Sequence, residues 1–283
     1  MSVLYDLPGP RARRRNLVIS LITGAAIVAL IVYVIMRFVQ TGQFNAVKWQ
    51  QFEYITVQQE LLSGLGATLL AASLGSVFAL LFGVVFAALR LTDFPILRGF
   101  SMSVVELFRA IPLLILIFFA YYGPLSFGFA VPKLWALVFG LTLYNGSVLA
   151  EIFRAGILAV PRGQSEAAAA VGLNRLQTLW LVLLPQAVRA MLPAIVSQLV
   201  VLLKDTALGF IITYPELLFQ AKQIGGKLVF EIPYVPTYMI TGVIYIGICG
   251  ALSFFAYWLQ KRLSRVPKTA AAATDLPRDL SGA

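Results

Sequence analysis

The chain contains no histidine, which removes the commonest general base and metal ligand from its chemistry. Cys249 is the single cysteine, so no intramolecular disulfide can form, and a metal cluster is excluded on ligand count. No G-x-x-x-x-G-K-[ST] loop is present to cradle a nucleotide, so the chain is not expected to hydrolyse ATP itself. Charge is also scarce: 12% of residues are charged and acidic residues number only 12 against 22 basic ones, while 60% are hydrophobic. That balance lies far from a soluble domain and identifies an integral membrane protein.

A membrane helix needs about 20 mainly apolar residues to cross a hydrocarbon layer of roughly 30 Å. Six segments approach that length: 17–36, 61–89, 102–122, 134–153, 187–203 and 238–259. Runs such as LLILIFFA and ALVFGLTL are apolar on every side, whereas barrel strands alternate polar and apolar residues. The expected fold is all-α and polytopic, with six transmembrane helices. The first apolar run, after RARRR, is about 20 residues long and no A-x-A site follows it, so it reads as a retained anchor and not a signal peptide.

Lys and Arg in short loops near span ends set orientation. With the N-terminus inside, fifteen basic residues fall on the cytoplasmic side, Arg11, Arg13, Arg14 and Arg15 among them, and five fall outside: Arg37, Lys48, Lys133, Lys222 and Lys227. Arg109 and Lys204 remain in the membrane zone. The net charge of +10 is therefore a topology signal that places both termini in the cytoplasm. A nucleic-acid partner would want basic residues clustered on a soluble face beside aromatics, and no such cluster exists.

Small residues recur every fourth position in the second span, at Ala67, Ala71, Gly75, Ala79, Gly83 and Ala87. Such a ridge lets another backbone approach closely, and it reads as packing within a bundle. Because four residues overshoot a 3.6-residue turn, the row winds around its helix. The segment 40–60 is polar and aromatic and suits an outer interface belt. Residues 208–236 mix prolines and glycines with apolar pieces, as a re-entrant or surface-lying stretch would. Residues 263–283 lack an apolar period and carry Pro267 and Pro277, so a disordered cytoplasmic tail is expected.

The stretch 163–185, GQSEAAAAVGLNRLQTLWLVLLP, presents a polar-ended helix that cannot span the membrane. Its alanines predict a helix from about Ser165 to Val171, capped by Ser165, with Glu166 in the first turn and Gly172 as a left-handed stop. A second short helix from Arg175 would lead to Pro185. On propensity alone this is an ordinary cytoplasmic helical hairpin.

Glu-Ala-Ala, a glycine six residues after the glutamate, and a later Leu-Pro resemble the EAA loop of ABC importer permeases. GLGATLLAAS, LRGFSMSVVELFRAIPLLILIFFAYYG, EIFRAGILAVPRGQSEAAAAVG and LLKDTALGFIITYPELL resemble the polar amino acid branch of that family, of histidine, glutamine or glutamate type. The resemblance covers roughly residues 57–262 and is closest in character to glutamate permeases. It implies a five-helix permease core at 57–262, an extra transmembrane helix at 17–39 behind a basic N-terminus at 1–16, and a location in the bacterial inner membrane. It also implies two ATP-binding cassette subunits that carry ATP-Mg, a second permease subunit, identical or paralogous, and an extracytoplasmic amino-acid-binding protein. Coupling to the ATPases would fall to Glu166, Ala167, Ala168 and Gly172, although a purely local folding role explains Gly172 equally well.

Charges within spans are functional hypotheses by default, since burying one at the bilayer centre costs at least about 2.5–3.5 kcal/mol. Glu106, Arg109, Glu151, Lys204 and Asp205 qualify by position. Arg109, Asn145, Lys204 and Asp205 are the candidates for a translocation path or gate. Against that, Glu106 with Arg109 and Lys204 with Asp205 are spaced to neutralise one another as structural ion pairs, and Asn145, Thr68 and Gln198 could be interhelical hydrogen-bonding groups. An ion-coupled secondary transporter is the rival class, but it would have no use for an EAA-type loop. A membrane enzyme using Glu151 or Asp205 as acid or base lacks a nucleophile motif and a metal-ligand cluster.

Overall fold

The computed structural model describes residues 9–228 and 231–263, and every regular element among them is helical. In chain order these are α1 (Pro10–Gln40), α2 (Ala46–Gln50), α3 (Ile55–Leu91), α4 (Pro95–Ala110), α5 (Leu113–Ser126) and α6 (Lys133–Leu158). There follow α7 (Arg162–Ala170), α8 (Arg175–Thr178), α9 (Leu184–Asp205), α10 (Leu217–Gly225) and α11 (Tyr234–Leu263). Five helical stretches among the described residues are long and apolar enough to cross a membrane, and there are six if the bent pair α4 and α5 counts as one broken span and not a re-entrant loop. The all-α, six-span expectation agrees with this architecture. The tail expected to be disordered lies outside the described residues, apart from Leu263.

Two local differences have physical causes. The segment 102–122 was expected to be one span, yet α4 and α5 meet at a bend of 98°. Pro112 is responsible, because its ring bars the preceding residue from helical geometry, and Ile111 is extended at φ −84 and ψ 126. The second helix of the 163–185 stretch was expected to end near Pro185. Instead α8 passes through a π turn at Leu179–Leu183 straight into α9, with Pro185 in the first turn of α9. Pro185 has no N–H to donate to the preceding turn, and a π turn there accommodates the missing bond.

The described residues form two compact units, 9–58 with 222–228 and 231–239, and 59–221 with 240–263. In the first, α1 has no buried residue. The segment 40–60 is tied locally: the Trp49 indole donates to the Gln43 carbonyl at 3.1 Å, and the buried Gln51 amide donates to Thr237 Oγ1 at 3.2 Å.

In the second unit α6 is the buried axis. Leu137, Leu141 and Leu149 are fully enclosed, against Ala71 and Ala79 of α3, Leu113 and Ile117 of α5, and Met191 and Leu202 of α9. The small-residue row of α3 packs within this bundle as expected. A Cβ placed on Gly83 would lie 2.9 Å from both Leu149 Cβ and Phe153 Cε2, so glycine is what permits this approach.

Gly83→Val is expected to lower the thermal midpoint in detergent by several degrees, an overpacking cost of about 1–3 kcal/mol. Gly66→Ala, where an added Cβ meets nothing within 4 Å, should leave the midpoint unchanged or slightly raised. Differential scanning fluorimetry of the two variants checks the pair.

Candidate functional site

The loop between α6 and α9 is shaped by two back-to-back stops. At the end of α7 the Gly172 N–H donates to the Ala169 carbonyl at 3.0 Å and the Leu173 N–H to Ala168 at 3.1 Å. Gly172 takes φ +83, a left-handed conformation in which a side chain would be strained. Two residues later Asn174 opens α8 with a reciprocal capping box: its side chain accepts from the Gln177 N–H, and Gln177 Oε1 accepts from the Asn174 N–H, both at 2.9 Å.

α7 begins at Arg162, three residues before the expected start, so Ser165 does not cap it. The Ser165 hydroxyl donates to the Arg162 carbonyl at 2.7 Å instead, and Glu166 falls in the second turn. Gln186 donates to Gln164 at 3.2 Å, which ties the start of α9 to α7. Arg175 pairs with Asp93 in the turn between α3 and α4.

Glu166, Ala167, Ala169 and Ala170 are exposed, and so are Val171, Leu176, Trp180 and Leu181 nearby. Ala168 is buried and faces its own chain. The loop therefore presents one carboxylate, small alanines and several large apolar side chains on a preformed bend.

Two turns before the end of α6, Glu151 is held by two guanidinium groups. Arg90 of α3 approaches its carboxylate at 2.6 Å, and Arg154 donates to both carboxylate oxygens from one turn further on. Arg90 is only 12% exposed, so this clasp ties the ends of α3 and α6 in a partly desolvated place. The i, i+3 spacing of Glu151 and Arg154 is legible in sequence, but the long-range partner Arg90 is not.

A polar chain crosses from α6 to α9. Gln198 donates to the Asn145 side-chain oxygen at 2.7 Å, and Asn145, fully buried, donates to Asp205 at 3.4 Å. The two ion pairs considered from sequence do not form: among the described residues no salt bridge joins Glu106 to Arg109 or Lys204 to Asp205. Asp205 turns towards Asn145, while Lys204 and Arg109 are exposed to the outside of this chain's own packing. Thr68 is buried between α3 and the start of α10, donating to the Gly64 carbonyl and accepting the Leu217 N–H.

Sequence reading missed Glu216, which sits between spans at the start of α10. Its carboxylate is fully enclosed and accepts the N–H groups of Leu218 and Phe219 at 2.7 Å and the Tyr245 hydroxyl at 3.0 Å. Burial outweighs these bonds and pushes its pKa up to about 7. Among the described residues no group of three His, Cys, Asp or Glu side chains could hold a metal.

This is a multi-pass membrane protein with an exposed helical loop between α6 and α9. Residues 79–265 match the family described as binding-protein-dependent transport system inner membrane component, and the chain belongs to that family. It is 48% identical over 180 residues to the glutamate transport system permease protein GluD of Corynebacterium glutamicum, covering 62% of this chain and 66% of that one. It is 34% identical over 202 residues to a probable glutamine ABC transporter permease protein, GlnP, of Bacillus subtilis strain 168, covering 71% and 93%. The crystal structure of an amino acid ABC transporter with histidines superposes with a TM-score of 0.69 at 29% identity, covering 75% of this chain and 97% of that one. The chain is an importer permease of the amino-acid group, spanning the inner membrane several times.

Glu151→Gln leaves Arg90 half-buried with a weakened partner and is expected to cost on the order of 1–3 kcal/mol. Glu106→Gln, which breaks no salt bridge among the described residues, should cost little; thermal melts of both variants in detergent test the contrast. For Glu216 the native pKa of about 7 lies above the ordinary 4.5, so the fold takes up a proton. The resulting stability is complete below about pH 4.5 and lost as the pH rises through 7. The thermal midpoint of the native chain should fall across that window, and Glu216→Gln should flatten this part of the profile.

Proposed function

We propose that this chain is the membrane permease of an ATP-driven importer of polar amino acids, with glutamate the first substrate to test and glutamine or aspartate the alternatives. The 48% identity to a glutamate permease carries this reading. The chain would work beside a second permease subunit, identical or paralogous, two ATP-binding cassette subunits and an extracytoplasmic binding protein. ATP-Mg and its hydrolysis would belong to the cassette subunits. The excess of basic residues at one set of span ends supports cytoplasmic termini.

Two membrane conformations suffice for transport, provided that each partner binds them with different free energy. The α7 loop supplies the lever. Glu166 is exposed for polar contact with an ATPase cleft, Ala167 permits close approach, Ala168 seats α7 on its own chain and Gly172 sets the bend. Arg109, Asn145, Lys204 and Asp205 are the residues proposed to line or gate the path.

The test is co-expression with the cassette subunits and binding protein, followed by uptake of radiolabelled glutamate into proteoliposomes loaded with ATP. ATP-dependent uptake is expected, with at least a tenfold loss and weaker co-purification of the cassette subunit in Glu166→Lys. Uptake on an imposed ion gradient without any cassette subunit would overturn the reading in favour of a secondary transporter.

A further inference from the structure

α1 is the one long helix with no buried residue among those described, and every residue from Arg13 to Arg37 is exposed. Its uncharged run, Leu17 to Met36, is 20 residues long. At 1.5 Å per residue that is about 30 Å, the thickness of the hydrocarbon layer.

The two ends of this run differ. At one end the Arg37 guanidinium donates to Gln40 at 3.1 Å. At the other, Arg11, Arg13, Arg14 and Arg15 crowd into little more than one turn, and α1 contains no acidic residue. Among the described residues no salt bridge reaches Arg11, Arg14 or Arg15.

Orientation does not need all four. Without them eleven of the fifteen basic residues on the cytoplasmic side remain, against five outside, and the bias keeps its sign. What the cluster adds is position. The helix runs unbroken from Pro10 into the apolar run, so the backbone of these arginines stands about 3–9 Å beyond Leu17 along the axis. A headgroup layer about 5–8 Å thick flanks each face of the hydrocarbon, and the long arginine side chains reach its phosphates from there.

Direction separates lipid from protein as the occupant. Successive helical residues turn by about 100°, so with Arg11 at zero, Arg13, Arg14 and Arg15 point near about 200°, 300° and 40°. Together they cover more than half the circumference of a helix that is exposed all round. An acidic protein surface would meet one side of such a helix, whereas headgroups surround it. The guanidinium fork matches phosphate oxygens, and a basic cluster beside a membrane helix attracts anionic headgroups within a Debye length of about 8–10 Å.

We propose that Arg11, Arg13, Arg14 and Arg15 form a docking site for anionic phospholipids, which fix the depth of a helix that has no buried residue of its own. The occupant is the lipid headgroup, on the cytoplasmic face in the orientation proposed above. An acidic face of a cassette subunit is the competing occupant. The site is independent of which amino acid is carried.

The test uses the full chain with its co-expressed cassette subunits, purified in mixed micelles of phosphatidylglycerol and excess phosphatidylcholine. Bound phospholipids are then counted by mass spectrometry. Phosphatidylglycerol should be enriched at least about threefold over the micelle composition, and the enrichment should fall as NaCl rises from about 0.05 to 0.5 M. Changing all four arginines to Gln should remove most of the enrichment, and changing all four to Lys should keep more than half. Arg14→Gln with Arg15→Gln, which disturbs insertion less, should give an intermediate loss. Equal enrichment in the native and four-Gln chains would overturn the proposal, as would equal losses in the four-Lys and four-Gln chains. A drop in recovered cassette subunit with phosphatidylglycerol unchanged would also overturn it and make the cluster a protein-docking surface.

Discussion

A bilayer offers its helices no hydrophobic contrast, so they hold together only where they come close and where every polar group finds a partner inside the protein. Around α6 this constraint is met by small residues. Alanines and glycines of α3 lie against Leu141, Leu149 and Phe153, and the α5 side packs through Ile117 against Gly140. Two polar groups of α6 find long-range partners, whereas the buried hydroxyls of Thr142 and Ser147 find none among the described residues. Asn145 is satisfied from α9, and Glu151 is gripped by Arg90 at the end of α3. The core and one candidate path residue, Asn145, thus share the same helix.

The spans were legible because an apolar run of about 20 residues has one physical meaning in such a composition. The break in the third span was written as Ile-Pro at 111–112, but the apolar run passes over it unchanged, and length alone reads it as continuous. The loop was legible in its turn, since Gly172 needs only local hydrogen bonds. The start of α7 was not, because Ser165 resembles a cap and bonds instead to a carbonyl one turn back. Pairings across more than fifty residues, such as Arg90 with Glu151 or Asn145 with Asp205, depend on how helices cross, and no spacing within one helix reports that. Glu216 escaped for the same reason: its surroundings come from α10 and α11 together.

The charged residues divide by what the chain gives them. Glu151 receives two guanidinium partners and Asp205 receives an amide, while among the described residues no salt bridge reaches Lys204 or Arg109. Sequence spacing suggested mutual neutralisation within each neighbouring pair, which would have left the path uncharged. Asp205 instead accepts from Asn145 of α6 and forms no salt bridge with Lys204 among the described residues.

The loop's two stops have a mechanical meaning. The left-handed Gly172 and the Asn174–Gln177 box are both closed within about ten residues, so the angle between α7 and α8 draws little on distant packing for its shape. In the proposed coupling, a partner that seized α7 would take hold of a bend already fixed by local bonds. Little of the grip is then lost to ordering a slack chain, and more of the stroke reaches α9, which α8 joins without a break.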